Sequence, residues 1–128
     1  MANSFPDAAL RHRIDAKHLA TNRRFQNAGH LLGLAAECLA KKILEGAGIT
    51  IDKPSGFREH FPKLGDRIRR EGHTRVMALL TPIYRKSFLD GWKVECRYEA
   101  DILTNEAEAR FNSWHADVVS LFKAAKIP

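Results

Sequence analysis

Apolar residues recur at three- and four-residue steps along most of this chain, and no alternating stretch is long enough to make a sheet. A first helix is expected from Asp7 to about Thr21, with Pro6 near its start, where a missing N–H does no harm. A second is expected from Asn22 or Arg23 to Glu45, stopped by the glycines of "EGAG". "ITIDKPSGF" then reads as a loop, and short helical pieces are expected over 60–70, 74–80 and 82–89. "DGWKVECRYEADIL" breaks the period and reads as an ordered connection, with Trp92 and Tyr98 pinning it to the core. Asn105 and Glu108 are placed as an N-cap pair for a long last helix ending near Lys126. Its core-facing stripe is Ala107, Phe111, Trp114, Val118, Leu121, Phe122 and Ala125. Together these elements predict an all-α fold, an up-and-down bundle with three longer helices, shorter helical pieces and an ordered loop before the last.

The second helix is the most informative. Phe25, Ala28, Leu32, Ala35, Leu39 and Ile43 form one side, with Leu31 and Cys38 on one flank and Ala36 and Ala40 on the other. Arg23, Asn27, His30, Glu37 and Lys41 fall opposite, with Leu34 among them. The polar residues thus make a narrow seam rather than a broad solvated face. Glu37 and Lys41 are four apart in the favourable order. One reading makes the seam a water-facing strip with an exposed ion pair worth little. The other has it line a polar groove or a surface shared with a second subunit.

At 128 residues the chain reads as one domain, 1–128, long enough to bury a core without staples. The net charge of +6 favours phosphate-rich partners through steering and non-specific attraction. Cys38 and Cys96 stand in no metal-ligand spacing and read as reduced thiols, which suggests a cytoplasmic setting. The start lacks the pattern of a signal peptide, and no apolar run reaches the ~20 residues of a membrane span. No membrane, metal or cofactor is therefore expected. There is no Gly-rich phosphate loop, nucleophile elbow or helix-turn-helix pair.

"GLAAECLAKKILEGAGI" resembles the second-helix signature of the HEPN family (higher-eukaryote and prokaryote nucleotide-binding domains): a Gly, a run of small and apolar residues, Glu, and Lys four on. "REHFPKL" supplies His60 before an apolar helix, "WKVECRY" places Arg97–Tyr98 like the family's Arg-Tyr dipeptide, and a long amphipathic helix closes the chain. The resemblance spans most of 7–126. It implies a helical bundle that is commonly a homodimer, related to RNA or nucleotides, in toxin–antitoxin or phage-defence systems. An antitoxin or nucleotidyltransferase-type partner would follow.

Catalytic members of that family are metal-independent ribonucleases with an Arg-x(4–6)-His motif. Here Arg110–His115 in "RFNSWH" and Arg24–His30 in "RFQNAGH" match, as do Arg23–His30, Arg13–His18, Arg11–His18 and Arg67–His73. Phe111 stands where catalytic members often carry a polar residue after the Arg. Arg110 and His115 lie about 140° apart on one helix, so they would meet only in a groove against a neighbouring helix or a two-fold partner. There His115 would take the 2′-OH proton and Arg110 would clamp the phosphate. Alternatively Arg110 is a surface residue and His115 a boundary side chain.

Arg97, beside Tyr98, is expected to reach Glu37 and tie the connection to the bundle, with phosphate binding as its rival role. His60 is expected to cap or brace a helix start. "GDRIRREGHTR" gathers Arg67, Arg69, Arg70 and Arg75, either as a solvated face or as a sequence-blind patch for a nucleic-acid backbone. The functional expectations are an RNA-related protein that is a metal-independent ribonuclease, or a non-catalytic module that binds nucleotide, RNA or a partner protein. A purely structural oligomerisation unit is the third.

Overall fold

The computed structural model describes residues 4–52, 54–71 and 74–127, and its fold is all-α. The elements are α1 (Phe5–Thr21), α2 (Phe25–Gly46), α3 (Lys63–Glu71), α4 (Thr74–Met77), 3₁₀ turns at Thr81–Tyr84 and Val94–Tyr98, and α5 (Thr104–Ala124). Among the described residues no helix is long and apolar enough to cross a membrane.

α1 starts where Ser4 accepts the Asp7 N–H, and it turns into α2 over three residues. There Arg24 N–H reaches Leu19 O at 2.8 Å and Arg23 N–H reaches Ala20 O at 2.9 Å. This is the Schellman closure, with Arg23 at φ 60° in the left-handed position that glycine usually takes. α2 ends the same way, but with Gly48 there.

α2 is the central rod, and both α1 and α5 pack on it. Ala28, Leu32, Ala35, Leu39 and Leu44 of α2 are essentially sealed, as are Val118, Leu121 and Phe122 of α5. Each large side chain so buried contributes about 1.5–3 kcal/mol by removing apolar area from water. The α5 stripe falls where expected, with Ala125 only partly covered.

Two glycines let aromatic rings lie directly on α2. A Cβ on Gly33 would sit 1.8 Å from Trp92 Cε2, and one on Gly29 would sit 2.9 Å from Trp114 Cε3. Trp92, 1% exposed, also donates its indole N–H to the carbonyls of Gly29 and His30, both at 3.2 Å. Trp92 pins the connection as expected.

Tyr98 does not. It is 76% exposed, beneath the Arg97 guanidinium. The connection is held instead by Gln26, whose amide donates to Ala100 O and accepts from Ile102 N–H. The capping pair of α5 is also corrected. Leu103 is the N-cap, and Asn105 accepts the N–H of Glu106 next door rather than pairing with Glu108. Of the short pieces, 60–70 starts later, 74–80 keeps only α4, and 82–89 reduces to one 3₁₀ turn. Short stretches cannot sustain helix once packing stops favouring it.

Candidate functional site

The polar seam of α2 does not lie open to water where its charges are strongest. Glu37 and Lys41 have side chains only 8% and 6% exposed, and Lys41 Nζ lies 3.1 Å from Glu37 Oε2. Lys41 also donates to Arg58 O at 3.2 Å, while Glu37 Oε1 meets His60 Nδ1 at 2.7 Å. The segment before α3 is laid over the seam because Phe57 and Phe61 are buried on either side of it. An exposed i,i+4 pair is thereby corrected to a buried, hydrogen-bonded one. His60 braces the segment ahead of α3, as anticipated.

Arg97 does not reach Glu37. Both carboxylate oxygens are engaged by Lys41 and His60, and the Arg97 guanidinium lies 4.9 Å from the Tyr98 ring centre. Its positive charge is still felt further along the seam. Burial lowers the pKa of His30, and Arg97 and His12 lower it further against the pull of Glu37. His30 stacks on Trp92 at 5.7 Å, and its Nδ1 is buried without a hydrogen-bond partner. His12 is lowered by burial and by Arg11, with Asp15 and Glu37 opposing. Burial and Glu37 push the Cys38 thiol up, so it is an unreactive thiol at neutral pH.

The seam opens at the start of α2 into a groove of about 420 Å³, lined by Arg23, Arg24, Asn27, Arg97, Glu99 and Asp101 among others. α2 begins there without a side-chain cap and with no acidic residue in its first turn. Its first N–H groups therefore present the positive end of a 22-residue helix toward the arginines. Glu99 adds less opposing charge than its place suggests, because Arg110 holds it at 2.8 Å. Three arginines, opposed by Asp101, and an uncapped helix start are the groups that a phosphate or carboxylate would meet here.

Neither Arg110 and His115 nor Arg24 and His30 are brought together. Arg110 is spent on Glu99 and, at 3.5 Å, on Glu106. His115 stacks on Phe111 at 5.4 Å and opens onto the other side of α5, toward α1. Its pKa is lowered by desolvation and by Arg13 and Lys17. Arg24 lines the groove at the start of α2, whereas His30 is stacked behind it on Trp92.

In the basic segment Arg67 is held by Glu59 at 3.1 Å and Glu71 at 3.8 Å, and Arg69 by Asp66 and the Ile83 carbonyl. Arg70 is exposed on the same helix. His73 and the Arg75 side chain lie outside the described residues. Among the described residues no three His, Cys, Asp or Glu side chains are grouped to hold a metal ion.

Sequence reasoning placed Arg23 in the seam and in one Arg–His pair but missed its place at the turn before α2. Its only signal was a turn that needed a left-handed residue and offered no glycine. It also missed the juxtaposition of Arg13 and Lys17 with His115, which comes from two helices far apart in the chain.

Compared with known proteins, the chain matches no family model, no curated protein and no solved structure.

Proposed function

We propose that this chain is an RNA-associated helical module of the HEPN kind, acting in the cytoplasm within a toxin–antitoxin or defence system. It holds the phosphate of an RNA or nucleotide in the groove at the start of α2. The observation that carries this reading is that Arg23, Arg24 and Arg97 all line one groove beside an uncapped helix start. Phosphate contacts of this kind position a polyanion without reading its sequence. The basic net charge of +6 and exposed Arg70 extend the attraction beyond the groove. Binding is favoured over cleavage within one chain because Arg110 is neutralised by two carboxylates while His115 faces elsewhere.

The test is anisotropy of a labelled single-stranded RNA titrated with protein in EDTA across a salt series. Arg24→Ala and Arg97→Ala are each expected to weaken binding and to reduce the slope of log K against log salt by about one. Binding that neither variant changes removes the groove. RNA that stays intact supports the binding module, whereas cleavage lost in His115→Ala or His30→Ala restores the ribonuclease reading.

A further inference from the structure

α1 and α5 flank α2 and leave a groove between them of about 750 Å³. Its walls are residues of one helical face from each side. α1 contributes Leu10, Arg13, Ile14 and Lys17, while α5 contributes Phe111, His115 and Val119 at four-residue steps. Leu32 of α2 is the floor. Leu10 and Ile14 are 45% and 54% exposed, among the few large apolar side chains this chain shows to water. The other large apolar residues of α1 and α2 are buried or partly buried, so within these two helices the exposed ones lie on the groove's wall.

We propose that this groove docks an amphipathic helix of another protein, with Leu-type residues along its apolar stripe and Asp or Glu flanking them. Three features point to that occupant. Walls drawn from two different helices, α1 and α5, over a floor on α2 offer the ridges and groove into which a third helix packs, at 8–10 Å between axes. The wall from Leu10 to Thr21 covers about 16–18 Å at 1.5 Å per residue, so the occupant engages through about three turns. The charges are one-sided, for Arg13 and Lys17 line the groove, and among the described residues no Asp or Glu does.

The one-sided charge also disfavours a second copy. A two-fold contact places the same patch on both partners. It would oppose one concave surface to another and Arg13 and Lys17 to their own kind, in a chain already carrying +6. His115 does not add to the cationic rim at neutral pH, because desolvation, and then Arg13 and Lys17, favour its neutral form. It can therefore sit against an apolar stripe while donating or accepting one hydrogen bond.

The full chain is titrated into two fluorescein-labelled helical peptides of about 18 residues, long enough to overreach three turns. Both carry Leu at alternating three- and four-residue steps, one with Glu flanking the stripe and the other with Lys. The Glu-flanked peptide is expected to bind at least about ten-fold tighter, since matched charges select partners and opposed ones reject them. Ile14→Glu, at a half-exposed position, should abolish that binding while leaving the circular dichroism and melting temperature unchanged. Lys17→Glu should narrow or invert the preference between the two peptides. Equal binding of both peptides, no binding of either, or binding indifferent to Ile14→Glu overturns the proposal. So does a dimer in sedimentation that Ile14→Glu dissociates, which gives the groove to a second copy.

Discussion

His60 Nδ1 lies 2.7 Å from Glu37 Oε1, so a histidine ahead of α3 is bonded to a carboxylate in the middle of α2. Glu37 in turn holds Lys41, which holds the Arg58 carbonyl. A buried acid, a buried base and a half-exposed imidazole thus close one chain of bonds over the central helix.

Breaking that chain at one member leaves a charge without its counterion in a water-poor place. Lys41→Met is expected to destabilise the fold by about 3–5 kcal/mol, the usual cost of stranding half of a buried pair. The double variant Glu37→Leu with Lys41→Met should recover much of the loss, because no charge remains to desolvate. Urea unfolding of the three proteins measures both, and equal losses in the single and double variants would refute the coupling.

Gly33 is required by contact rather than by its own backbone freedom. Gly33→Ala puts a methyl carbon into the Trp92 ring and should cost about 1–3 kcal/mol or more through forced repacking. Trp92→Leu costs stability by itself, yet combined with Gly33→Ala the losses should fall short of their sum. Strict additivity in a double-mutant cycle would show that the ring does not lie on Gly33.

Arg23 sits in a left-handed conformation that costs a non-glycine residue about 1 kcal/mol. Arg23→Gly should therefore raise the unfolding free energy by up to about that amount while weakening RNA binding at the groove. Lower stability together with unchanged RNA affinity would contradict both halves.

Stability should also depend on pH through the seam. His12 and His30 have folded-state pKa values below their ordinary 6.5, so the unfolded chain takes up their protons more readily. Their penalty is absent above about 6.5 and grows as pH falls through 6.5 toward the lowered values. The urea midpoint should fall between pH 7.5 and 5.5, and His30→Gln should flatten that fall. An equal slope in wild type and His30→Gln would exclude His30 as a source.

The long helices were legible because burial writes a 3.6-residue period into them, as with Phe111, Trp114, Val118 and Leu121 on α5. Nothing comparable marks a non-periodic stretch. Trp92 and Tyr98 stand in the same connection, yet one is sealed and the other exposed, because only Trp92 meets a face cleared by Gly33. The seam on α2 was visible as a face, but its partner was not, since His60 arrives through a loop crossing that no local pattern records. The arginines of the candidate groove were each visible, while their convergence depends on how residues 96–104 lie across the start of α2.

Trp92 has a consequence for how the chain assembles. During synthesis the α1–α2 hairpin emerges first, and its contacts are local enough to form at once. The bare backbone at Gly33 then has no cover until the Trp92 ring is made, and that at Gly29 waits for Trp114. A nascent chain stalled before Trp92 would expose a smooth, sticky stripe along its best-formed helix. Protection from chaperones or proteases should therefore arrive late, beginning as residue 92 clears the ribosome and completed once Trp114 follows.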